Sequence, residues 1–216
     1  MRTLTAGQYD PAVIAFLTMA AAPRAALLQQ LVATTGMPLG GWQTHFNMGH
    51  DFYQFNLIPG TLIGLYDARV SAPMGSALAA EGDPSSTFIN ASFATAITSY
   101  LNSQLQYSSP SSYVLLRNAI QSWDYSHDGQ ALPDTIPDLA AALAQNPDLR
   151  VLSVNGYHDL VTPFFQTERD LARMGPTPNV QLRFYPGGHM TYLDDGSRAL
   201  EKADLAQFYL SASMAP

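Results

Sequence analysis

Two residues in the last third of this 216-residue chain have types and a spacing suited to proton transfer. Asp159 follows Asn155-Gly156-Tyr157-His158, and His189 sits in Gly187-Gly188-His189-Met190. A histidine that takes a proton from a hydroxyl needs its second ring nitrogen held and its imidazolium stabilised. A buried carboxylate does both. An Asp and then a His, one strand–helix–strand unit apart, match the last two members of a Ser…Asp…His order. Spacing also leaves plainer roles open. An Asp in a strand-end loop caps a helix or ties a turn, and a His in a Gly-rich loop can be structural.

The elements that must position the pair follow from periodicity. Leu149–Val154 reads as a strand, Pro163–Met174 as a helix opened by proline, and Asn179–Tyr185 as a strand with alternating Val180, Leu182 and Phe184. Ser197–Leu210 reads as a closing helix with Leu200, Leu205 and Phe208 facing inward, and Ser197 suits its N-cap. Pro137–Ala144 is a further helix, stopped by Asn146-Pro147. This order predicts two parallel strands joined by a right-handed crossover. Functional groups on open α/β sheets gather just past the carboxyl ends of strands. Adjacent strands lie about 5 Å apart, so an Asp beyond one and a His beyond the next are within reach of each other.

The preceding part reads as helical. Asp10–Ala22 and Pro23–Thr35 are expected helices, the second carrying Leu27, Leu28, Leu31 and Val32 at helical spacing. Gly40–Gly64 reads as a loop rich in Gly, Asn, His and aromatics. Ser92–Tyr107 places Phe93, Ile97, Tyr100, Leu101 and Leu105 on one stripe, and Tyr113–Ser122 reads as another helix. Trp123, Tyr125 and Met190 are expected in the core or against a cover.

Composition narrows the classes of function. Hydrophobic residues are 47% and charged residues 12%, enough for a packed core and too little charge for a disordered chain. The net charge of −7, with one lysine (Lys202) and nine scattered arginines, argues against nucleic acid. With no cysteine, there is no disulfide, thiolate nucleophile or Cys-held metal. The apolar run Ala12–Ala22 follows Asp10-Pro11 rather than a basic segment, so it reads as a buried helix rather than a signal peptide. It is also too short to span a bilayer, which needs ~20 residues. The compartment stays undetermined. His45, His50 and Asp51 suggest a metal, but their spacing is poor and no fourth ligand is evident, so no metal or cofactor is expected. With Trp42, Phe46, Phe52, Tyr53 and Phe55 they read instead as a packed loop or an aromatic-lined pocket.

Several motifs carry a resemblance. Asn146-Pro147, Asn155-Gly156-Tyr157-His158-Asp159 with Thr162-Pro163, and Gly188-His189-Met190 with Tyr192-Leu193 resemble the C-terminal part of the serine carboxypeptidase family, bacterial branch. Leu65-Tyr66-Asp67-Ala68-Arg69, Asp83-Pro84-Ser85 and Trp123-Asp124-Tyr125 resemble it upstream. The resemblance implies an α/β-hydrolase fold with Asp159 as triad acid and His189 as general base. It also implies a helical cover over the active site. The family's Gly-x-Ser-x-Gly nucleophile elbow has no counterpart here. Gly75-Ser76 lacks the second glycine, and Ser85 belongs to another motif. The family's groups for the substrate's terminal carboxylate are missing as well.

The expectation is therefore a partial α/β-hydrolase fold, with a helical cover-like region over 1–135 and a unit over 136–216 carrying Asp159 and His189. The expected activity is hydrolysis of ester or peptide bonds, with esterase favoured over carboxypeptidase. The alternatives are an inactive C-terminal fragment or subunit of such a protein, and a ligand-binding module built on the aromatic loop 42–55. No membrane partner is expected. A two-stranded sheet would leave an open edge and apolar surface, so a homo-oligomer or a partner chain is expected to cover it.

Overall fold

A computed structural model describes residues 2–116 and 122–213. The architecture is mixed, with helices and two small sheets. Two compact units divide the chain. The first comprises residues 1–86 with the short segment 158–161, and the second comprises residues 87–157 and 162–216.

The first unit opens with α1 (Arg2–Leu4), a π-helical turn (Thr5–Tyr9) and α2 (Asp10–Ala15), followed by α3 (Ala21–Thr35). The helix expected over Asp10–Ala22 stops at Ala15, and extended Ala20 then opens α3. The turn lets Phe16 stack on Phe46 with ring centroids 3.9 Å apart. The apolar run is thus buried on one side only. Ala12 is buried, whereas Ile14 and Leu17 lie exposed. Leu27, Leu28 and Leu31 of α3 are buried, as their spacing predicts. Gly36, at φ 76°, ends α3 in the left-handed conformation that glycine adopts freely.

The expected loop 40–64 contains two short helices, α4 (Leu39–Thr44) and α5 (His50–Asn56), and strand β1 (Thr61–Ile63). Burial overrides poor helix propensity here. Trp42 and Phe46 sit in the core with Met37, and the Trp42 indole N–H donates to Thr35 Oγ1 at 3.2 Å. β1 pairs antiparallel with β2 (Ser71–Pro73), a strand too short for alternation to reveal.

Asp83 N-caps α6 (Pro84–Ser103). One of its oxygens, Oδ1, accepts from the Ser85 and Ser86 N–H groups. The helix therefore starts eight residues before the expected Ser92, and its stripe is only partly covered, with Ile97 and Leu101 half-buried. Phe93 and Tyr100 are exposed. Of the helix expected over Tyr113–Ser122, residues 113–116 are irregular and 117–121 lie outside the described residues. Trp123 and Tyr125 are exposed rather than core.

The second unit holds α7 (Ile136–Gln145), β3 (Val151–Gly156), α8 (Phe164–Ala172), β4 (Val180–Tyr185) and α9 (Asp195–Ser213). β3 and β4 pair in parallel from Val151↔Val180 to Gly156↔Tyr185, as expected. Among the described residues each pairs only with the other. Two details differ from expectation. Asp194, not Ser197, caps α9, accepting the Ser197 N–H at 2.8 Å, and Leu200 is exposed.

In the first unit, Ser85 is a buried hydroxyl with three hydrogen bonds. It is 1% exposed, donates to Asp83 Oδ1 at 2.6 Å, and accepts from the Tyr66 and Asp67 N–H groups at 3.1 and 3.2 Å. Ser85→Ala strands these groups, so a loss of about 1–3 kcal/mol is expected in urea denaturation. An unchanged midpoint would show that the hydroxyl does not hold this turn.

Candidate active site

Asp159 and its supports belong to the first unit. The chain before α6 makes a turn over residues 64–70, closed by the Gly64 N–H donating to Val70 O at 2.8 Å. Segment 158–161 docks on this turn through two backbone bonds. Ala68 N–H donates to His158 O at 2.9 Å, and Leu160 N–H donates to Leu65 O at 2.9 Å. The turn is pinned from below by Ser85. A Cβ on Gly64 would come within 2.6 Å of Ser85 Oγ, so only glycine allows this approach. Asp67 closes its outer side by an ion pair to Arg69 at 2.7 Å. Asp159 itself is buried and accepts the Val161 N–H at 2.8 Å. Three motifs of the resemblance, at 65–69, 83–85 and 158–159, therefore form one hydrogen-bonded knot. Ser85, enclosed and fully engaged within it, is a structural hydroxyl.

His189 and its supports belong to the second unit. The loops that leave β3 and β4 run side by side. The Tyr157 N–H donates to Tyr185 O at 2.9 Å, one residue past the last paired position. A Cβ on Gly156 would lie 2.1 Å from Gly188 O, and one on Gly187 would lie 2.8 Å from Thr191 Cα. Backbone packs directly on backbone at both places, which explains the glycines. Gly187, Gly188 and Thr191 are buried, yet His189 between them is exposed. Its Nδ1 lies 3.3 Å from Thr162 Oγ1, at the far end of the β3 loop.

The floor of the His189 loop rests on α9. Tyr185 is 2% exposed and donates its phenol to Asp204 Oδ2 at 2.7 Å. Burial first, and then this carboxylate, push the Tyr185 phenol far above its usual range. Thr191 Oγ1 donates to Glu201 Oε2 at 2.6 Å. Beside the loop, Tyr157, Phe164 and Phe184 form an aromatic cluster with centroids 5.1–6.0 Å apart.

The two residues singled out by sequence thus lie in different units, Asp159 on the 64–70 turn and His189 on the α9 platform. Sequence reasoning missed Thr162, Glu201 and Asp204. Thr162 is visible in the sequence only as half of Thr162-Pro163 before a helix, and the two acids only as charged residues within the expected closing helix. The aromatic loop resolves differently from a pocket. Trp42 and Phe46 are core, and His45 stacks on Phe52 at 3.8 Å. His50 lies 3.5 Å from the carboxylate of its neighbour Asp51.

Among the described residues, the donor atoms that converge enough for a cation are those of His127, Asp128 and Asp138, all within 4.8 Å of one another. Sequence reasoning passed over this group. An ion pair accounts for it, since His127 Nε2 lies 2.9 Å from Asp138 Oδ2. No known family model matches the chain, nor does any curated protein or solved structure.

The bond to Asp138, helped by the Asp128 charge, raises the His127 pKa. A raised folded-state value means that the pair favours the fold below the ordinary histidine pKa and loses this effect as pH rises through the raised one. An NMR titration should find the His127 midpoint lowered in Asp138→Asn. An identical midpoint would remove Asp138 as its partner.

Proposed function

We propose that this chain is a hydrolase-type protein of partial α/β-hydrolase architecture. It acts on ester or peptide bonds, with His189 as general base and Asp159 as the acid that orients it. The observation that carries the reading is the presentation of His189. Its loop is glycine-packed, buried at Gly187, Gly188 and Thr191 and bonded to α9 through Tyr185 and Thr191, while His189 stands exposed beyond the carboxyl end of β4. A loop fixed this firmly around one exposed titratable ring is what a proton-transfer site requires. Asp159 has matching support, being a buried carboxylate on a turn tied down by Ser85 and Asp83.

The chemistry is acyl transfer. His189 removes the proton of an attacking hydroxyl as its oxygen bonds to the carbonyl carbon. The bond to the leaving oxygen or nitrogen then breaks, and that atom takes the proton from the imidazolium. Water repeats the sequence to free the acid. With the ring proton on Nδ1, the lone pair sits on Nε2, which becomes the working base. The hydroxyl nucleophile is assigned to neither loop. It comes from elsewhere in the chain or from a partner chain. Esters are favoured over peptides because they demand less of the site.

The test is labelling by a fluorophosphonate probe together with p-nitrophenyl ester hydrolysis. His189→Ala should abolish both signals, with a loss of about a thousandfold or more in kcat. Hydrolysis that survives the substitution would overturn the assignment. A second reading, an inactive relative or one subunit of a split enzyme, is favoured by the missing Gly-x-Ser-x-Gly. Absence of labelling in the wild-type protein selects it.

The same architecture supports association with a second copy or a partner chain. Among the described residues β3 and β4 have no further strand beside them, and Phe88, Phe93 and Tyr100 of α6 stand exposed. Light scattering should give a mass above that of one chain. A monodisperse monomer would refute the expectation of self-association.

A further inference from the structure

The His189 loop is gripped at both ends by one face of one helix. Glu201 and Asp204 are three residues apart on α9 and so project from the same side of it. Asp204 takes the phenol of Tyr185, four residues before His189, and Glu201 takes the hydroxyl of Thr191, two residues after it. Arg183 Nε, 3.4 Å from Asp204 Oδ2, supplies a counter-charge to the first grip. Thr191 also forms the surface against which Gly187 packs, so its position sets the shape of the turn between them.

We propose that Glu201 and Asp204 are positioning residues for His189, a two-point carboxylate clamp that fixes the imidazole from behind. The inference rests on the reading of His189 as general base. Neither acid contacts the reacting atoms. Each acts through a buried hydroxyl at one end of the loop. The donors are neutral and the acceptors charged, which makes these bonds short and directional. Releasing either end lets the turn relax, so the ring samples several placements instead of one. Proton transfer is sensitive to such displacement, because a shift of about 1 Å can cost about a hundredfold in rate.

Ring resonances of His189 in selectively labelled protein and the kinetics of p-nitrophenyl ester hydrolysis are measured side by side. Glu201→Ala and Asp204→Ala change partly exposed helix positions where alanine is well tolerated, so the fold survives. Each should split or broaden the His189 resonance and lower kcat about ten- to a hundredfold with KM unchanged. Glu201→Gln and Asp204→Asn keep an acceptor oxygen and should restore both readouts. Thr191→Val should reproduce Glu201→Ala, and Thr191→Ser should rescue it. A lowered melting temperature with an unaltered His189 resonance in both alanine variants would overturn the clamp. If the wild-type protein hydrolyses no ester, the proposed function fails, and the His189 resonance alone still decides the clamp.

Discussion

Within the second unit, everything near His189 depends on backbone meeting backbone at Gly156 and Gly188. The space there holds no side chain, since even a Cβ would fall 2.1 Å from a carbonyl oxygen. This contact makes the exits of β3 and β4 a single packed layer rather than two independent loops. Tyr157 can then bond to Tyr185, and the turn from Gly187 to Thr191 can fold tightly enough to leave only His189 outside. An alanine in place of Gly156 would force the two strand ends apart, and the pairing of Gly156 with Tyr185 would go with it.

Around this contact the chain uses one device twice. Each candidate site residue stands on a short irregular segment. Each segment is held by a carboxylate and a hydroxyl donor that serve structure rather than chemistry. Asp83 with Ser85 holds the turn under segment 158–161, and Glu201 with Thr191 holds the turn under His189. Irregular backbone cannot satisfy its polar groups by repetition, so side chains must do it. That requirement explains why polar residues without catalytic geometry, such as Ser85 and Thr191, are among the most buried in the chain.

The second unit was the more legible part of the sequence. Val180, Leu182 and Phe184 alternate over a full strand, and Asn146-Pro147 and Pro163 bracket β3 cleanly, so period and punctuation agree. The first unit was less so. Its α4 contains Gly40 and Gly41 and survives because Trp42 and Met37 bury against α3, a tertiary effect that propensity does not record. Asp159 and His189 stood out as residue types at strand ends. Their supports did not, because Ala68 and Leu65 meet segment 158–161 through backbone atoms, which leave no trace in side-chain identity. The α6 stripe is legible as helical but its exposure is not, since periodicity reports a face without reporting what covers it.

That uncovered face gives the chain an uneven internal stability. From residue 91 onward nearly every α6 side chain is exposed, so the helix draws little on tertiary packing there and must stand largely on its own hydrogen bonds. A helical stretch as short as residues 91–103 is marginal on its own in water. The backbone amides of its C-terminal half should therefore trade their hydrogens with solvent through local openings that never disturb β3 and β4. The strand pair and its loops form the slow-opening region of the second unit, and α6 is a fast-opening one whose order any covering chain would change.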